Sequence, residues 1–118
     1  MSKGVIFFGW NRSVSGREQI SLEHFQEFTK YAGGLQASGA IASFETILLT
    51  NHGGDLNGFF LLRGSREQLM ALKATEEWQM HVTRGGYHLE GVGVVDGVTD
   101  EGVMDWMRNY NSVLEKYG

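Results

Sequence analysis

Two apolar runs, Ile41–Thr50 and Gly58–Arg63, flank the loop Asn51–Asn57, in which asparagine, glycine and aspartate surround His52. Asn and Asp side chains bond nearby backbone and glycine supplies positive φ, so the stretch predicts a hairpin slightly longer than the tightest kind. A hairpin makes its two strands adjacent and antiparallel, which limits how the remaining segments can join them. Val5–Trp10 (VIFFGW) is an apolar, aromatic and β-branched run bounded by Gly4 and Asn11-Arg12-Ser13, as expected of a strand buried on both faces.

Between these strands the period changes. Ser15-Gly16-Arg17-Glu18 has capping-box spacing and Ser21 offers a second start; Leu22, Phe25, Phe28, Ala32 and Leu35 then recur at three- and four-residue steps. This predicts an amphipathic helix that runs through Gly33-Gly34 and stops at Gly39. Ser65 with Gln68 opens a second helix, continuing with or without a break through Glu76-Glu77-Trp78 to Arg84. After Gly85-Gly86, Tyr87–Val95 reads as a strand, with His88, Glu90, Val92 and Val94 on one face and Tyr87, Leu89, Gly91, Gly93 and Val95 on the other. A last helical stripe, Val103, Trp106, Met107, Tyr110, Val113, Leu114 and Tyr117, has Thr99 or Asp100 as its cap.

The order β-α-β-β-α-β plus a helix predicts a single α+β domain over residues 1–118. It is the ferredoxin-like arrangement: an antiparallel sheet with helices on one face and a C-terminal helix left over. The first strand, the long helix ending in LQASGAI, the hairpin and the glycine-rich LEGVGVVDG resemble the dimeric α+β barrel superfamily over most of the chain. That resemblance implies two sheets packed face to face in a homodimer, with a pocket in each protomer. Within the superfamily the chain resembles YCII-like proteins in size and texture, and antibiotic-biosynthesis monooxygenases are relatives of the same architecture. The Asp-Pro-Phe of YCII-like proteins has no counterpart in ATEEWQM, so their catalytic pair is not carried over.

Composition removes several chemistries. With no cysteine there is no disulfide framework, thiolate nucleophile or cysteine metal site, and the expected localisation is cytoplasmic. The net charge of -4, with its scattered cations, gives no footprint for a phosphate backbone, so nucleic acid is not an expected partner. No apolar run spans a bilayer, and the amino-terminal residues lack the apolar segment of a signal peptide, so no membrane partner is expected.

Strand direction gathers the chemistry at one end. If the first strand runs up, the hairpin loop and the entry to the last strand share its upper end, so Trp10, Asn11 and Arg12 meet His52, Asp55, Arg84, Tyr87 and His88 there, while Glu90 shares with His88 the strand face turned toward the barrel interior. His52, Asp55 and His88 are the candidate catalytic groups, because an imidazole beside a carboxylate suits acid/base work near neutral pH. Trp10, Arg12, Arg84 and Glu90 are the candidate ligand-binding residues. Bland readings stand beside these: a plain hairpin loop for His52 and Asp55, a solvated or dimer-interface strand face for His88 and Glu90, and a packed or surface position for His81. No metal and no cofactor are expected, since His-x-x-Asp with a remote histidine is a weak ligand pattern. Two function classes fit. One is a homodimer binding a small aromatic or carboxylic metabolite, acting as a cofactor-free oxygenase or isomerase. The other is a non-catalytic metabolite-binding or interaction module whose barrel serves dimerisation only.

Overall fold

A computed structural model describes residues 3–118. The elements run β1 (Gly4–Trp10), β2 (Arg12–Ser13), α1 (Glu18–Ser38), β3 (Ser43–Leu48), β4 (Gly58–Gly64), α2 (Arg66–Lys73), α3 (Glu76–His88), β5 (Leu89–Glu90), β6 (Gly93–Val98) and α4 (Glu101–Tyr117). The main sheet is four-stranded and antiparallel in the order β3-β4-β1-β6, and β2 pairs with β5 as a separate two-stranded ribbon. This is the ferredoxin-like topology, with α1, α2 and α3 against one face.

Alternation along the strands sorts the side chains. Ile6 and Phe8 of β1 and Phe60 and Leu62 of β4 turn toward the helices, where they close a core with Phe28, Ala32, Leu72 and Trp78. Phe8 meets Phe28 and Trp78 edge-on, at ring separations of 5.4 and 6.0 Å. The opposite face carries Phe7, Ile47, Phe59, Leu61 and Val95, with Phe7 and Phe59 at 4.9 Å and the Arg63–Glu45 ion pair at its border. Among the described residues no element covers this face.

The helix signals come through with small shifts. Gly39 ends α1 in the left-handed region (φ 83) and its N–H donates to Gln36 and Leu35 carbonyls. The Ser65–Gln68 capping box is present in both directions. Helix α1 begins at Glu18 behind Arg17, which gives no side-chain cap; the Glu18 carboxylate accepts from the Gly16 N–H instead. Asp100 precedes α4 at φ 51 without capping it through its side chain.

The expected last strand is overturned in its first half. Tyr87 and His88 are not in a strand: α3 passes through Gly85-Gly86 and ends at His88, and Glu90 belongs to the small ribbon. A glycine costs a helix only about 1 kcal/mol relative to alanine, and packing exceeds that cost here. Gly85 is buried, and a Cβ on it would stand 3.0 Å from Phe8 Cζ, so its missing side chain lets α3 approach β1. The strand restarts after Gly91 (φ 65), which turns the chain beside Asn11. As a result Val92 and Val94 pack against the core under the helices, and it is Val95 that joins Phe59 and Leu61 on the open face.

Helix α4 is held at its root. A Cβ on Gly102 would lie 2.5 Å from the Lys3 carbonyl oxygen, and Thr99 N–H donates to that same oxygen. Beyond the root, the stripe from Val103 to Tyr117 stands exposed.

Candidate functional site

The upper end of β1 opens into a cavity of about 410 Å³ between the sheet and α1. Its walls are aromatic. Trp10, the last residue of β1, lies 5.4 Å from Phe60 and 6.4 Å from Phe25, and Phe8, Phe28, Leu22 and Leu89 complete the apolar lining. The indole takes this position because its strand partner is Gly58, where a Cβ would lie 2.7 Å from the ring.

The polar side of the cavity is a row of hydrogen-bonded side chains. Ser13 Oγ donates to Ser21 Oγ at 2.6 Å, and Ser21 Oγ stands 2.6 Å from His88 Nδ1. His88 Nε2 is 2.7 Å from His24 Nδ1, and His24 Nε2 is 3.0 Å from His81 Nδ1. The three imidazoles are 2%, 4% and 7% exposed for His88, His24 and His81, so each bond forms out of water. Phe28 meets His81 edge-on at 5.2 Å, and the Tyr31 ring stacks on His81 at 4.3 Å. Because the two nitrogens of His24 point to different rings, the group is a line rather than a claw, and among the described residues no three His, Asp or Glu side chains converge as a metal site.

Burial decides the charge of this row. It pushes His24 from 6.5 down to about 4, with the nearby Arg84 cation and the other two histidines adding to the effect and Glu27 opposing it. His81 and His88 are lowered as well, by burial first and then by Arg84. At neutral pH all three are uncharged imidazoles, each with one donor and one acceptor nitrogen.

The sequence candidates divide among three places. His88 and Trp10 line the cavity, and Arg12 stands at its mouth. Arg12 bonds Glu90 at 2.6 Å across the β2–β5 ribbon; Glu90, and more weakly Asp55, hold its guanidinium pKa above the ordinary value. His52 and Asp55 border a separate shallow hollow on the other side of Arg12, with Asn11 and Asn57. There the His52 ring bonds the Thr50 carbonyl at 2.9 Å, and Gly53 takes φ 79. Arg84 lies elsewhere, in the cleft between α1 and α3, bonded to Glu27 at 2.6 Å beside His81. One helical turn before His88, it cannot share the rim once α3 continues to that point.

His24 and Ser21 were not among the sequence candidates. The signal was present: His24 stands one turn before Phe28 on the buried stripe of α1, and His81 and His88 are seven residues apart, two turns on one face of a helix that continues to His88.

No family model matches the sequence, and no curated protein matches it. Among solved structures the chain is similar to a dimeric protein of unknown function and ferredoxin-like fold from Bacteroides fragilis NCTC 9343, at 15% identity and a TM-score of 0.59, covering 81% of this chain and 96% of that one. The likeness is one of architecture, and the chain has the ferredoxin-like fold.

Proposed function

We propose that the chain forms a homodimer in which each protomer binds a small aromatic or carboxylic metabolite in the Trp10 cavity, and that Ser21 with His88 moves a proton to or from it. The observation that carries this reading is the 2.6 Å bond between Ser21 Oγ and His88 Nδ1 on the polar side of an otherwise apolar cavity. A cavity of this size with few convergent polar groups is the usual form of a small-molecule site. A neutral imidazole is a competent base at neutral pH, and burial keeps His88 neutral. In this reading Trp10 supplies the stacking wall, Arg12 meets a carboxylate at the mouth, Glu90 orients Arg12, and His52 and Asp55 shape the outer side of that mouth. Isomerisation through proton transfer fits these groups more directly than oxygenation does, and both belong to the range of the dimeric α+β barrel superfamily that the sequence resembles. The open sheet face supports a homodimer, as does the dimeric state of the Bacteroides fragilis protein.

A second reading is binding without turnover, favoured by the fact that both ring nitrogens of His88 already have partners. A thermal-shift screen with substituted phenols and benzoates, followed by solvent-deuterium exchange at carbon in any stabilising compound, decides between the two. Stabilisation together with exchange that is lost in His88→Gln supports the catalytic reading. Stabilisation with no exchange leaves the binding module, and no stabilisation by any compound refutes both.

A further inference from the structure

We infer that Ser21, His88, His24 and His81 form a proton conduit joining the aromatic cavity to a second opening, the cleft between α1 and α3. Ser21, His88 and His24 line the cavity, whereas His81 lines the cleft with Glu27, Lys30, Tyr31, Glu77 and Arg84. The inference rests on the proposed acid/base reading of the cavity and adds where the proton goes.

The argument is one of tautomers. A neutral imidazole carries one N–H and one bare nitrogen, so three rings bonded end to end have only two complete arrangements. In the first, Ser21 O–H donates to His88 Nδ1, His88 Nε2–H to His24 Nδ1, and His24 Nε2–H to His81 Nδ1, leaving the proton of His81 on Nε2, the nitrogen not used within the row. In the second, every proton sits on Nδ1 and every bond in the row is reversed.

Passing from one to the other carries a proton through. A ligand O–H or C–H in the cavity gives its proton to Ser21 Oγ, which gives its own to His88 Nδ1. His88 Nε2 then releases a proton to His24 Nδ1, His24 Nε2 to His81 Nδ1, and His81 Nε2 to water or a carboxylate in the cleft. One proton enters and one leaves, and every ring ends neutral. Returning a proton to the ligand runs the same steps backward and restores the first arrangement. Depressed proton affinity along the row suits relay rather than storage of charge.

Histidine 15N NMR of the full chain at neutral pH tests this by reading which ring nitrogen is protonated. Without any ligand, Ser21→Ala removes the donor to His88 Nδ1, and the tautomer ratio of His81 is expected to change by roughly twofold or more although His81 does not touch Ser21. An unchanged His81 ratio overturns the conduit. With 4-nitrophenol added to the unsubstituted protein, the expected result is coupled tautomer shifts at His88 and His81, with the His81 shift lost in His24→Phe, or in His24→Leu should the first not fold. A shift at His88 alone overturns the conduit while leaving the cavity reading intact. A response to Ser21→Ala with none to 4-nitrophenol supports the coupled row and counts against the cavity as a site for phenols.

Discussion

His24 of α1 and His88 at the end of α3 come from two helices packed on the same face of the sheet, and their rings meet nearly at right angles (81°) with Nδ1 and Nε2 2.7 Å apart. The contact joins α1 to the end of α3 through two groups that must stay uncharged.

Acid should therefore loosen this junction. Unfolded histidines bind protons near pH 6.5, while folded His24 does so only near 4. Between those values the unfolded state holds more protons, so stability falls as pH falls from about 6.5 toward about 4, with nothing further from His24 below that. By pH 5 the expected loss from His24 is on the order of 2 kcal/mol. Urea denaturation at neutral pH and near pH 5 should show a steep drop in the native chain and a shallower one in His24→Phe.

The two neighbouring glycines of α3 should respond in opposite ways to alanine. Gly86 has open space where its Cβ would go, so Gly86→Ala should stabilise by about 0.5–1 kcal/mol. Gly85→Ala places a methyl 3.0 Å from the buried Phe8 ring, which is held by Phe28 and Trp78, and should destabilise by about 1–3 kcal/mol. Thermal denaturation of the two variants checks this, and equal effects would contradict the packing described.

A charge on the open sheet face should separate the protomers. Phe59→Glu or Leu61→Lys puts that charge among Phe7, Ile47 and Val95 without touching the core behind. Sedimentation should show a dimer for the native chain and at least about tenfold weaker association for either variant. A native chain that is monomeric at concentrations on the order of tens of micromolar removes the dimer reading.

His52 and His88 should separate cleanly by mutation. His52 is exposed, with its ring bonded to the Thr50 carbonyl, so His52→Ala should change stability by less than about 0.5 kcal/mol. His88→Ala leaves Ser21 and the buried His24 each short of a partner and should cost about 1–3 kcal/mol. Chemical denaturation gives both values. In the thermal-shift screen, stabilisation by phenols and benzoates is expected to be lost in His88→Ala and retained in His52→Ala.

The strand and helix periods, the hairpin at Asn51–Asn57 and the Ser65–Gln68 cap made the architecture legible, because each is a local preference that the tertiary structure does not oppose. The end of α3 was not legible. Gly85-Gly86 reads as a break from propensity alone, and only the contact between Gly85 and Phe8, residues far apart in sequence, offsets that preference. This one boundary turned His88 from a strand residue into the last residue of a helix and reversed the faces of Val92 and Val94. It also hid the pairing of His24 with His81 and His88, which is visible only when two helical periods are superposed in space. Trp10 and Arg12 were placed at the cavity by strand direction, since β1 ends where the β3–β4 loop begins.

The Lys3 carbonyl, which accepts from Thr99 N–H at 3.0 Å and leaves no room for a side chain at Gly102, makes the beginning of β1 and the root of α4 one cooperative unit. Opening either should open the other. The amides of Thr99 and Gly102 should then exchange with solvent at a common rate and slow together when β1 is stabilised, while those of the distal turns of α4 exchange on their own schedule.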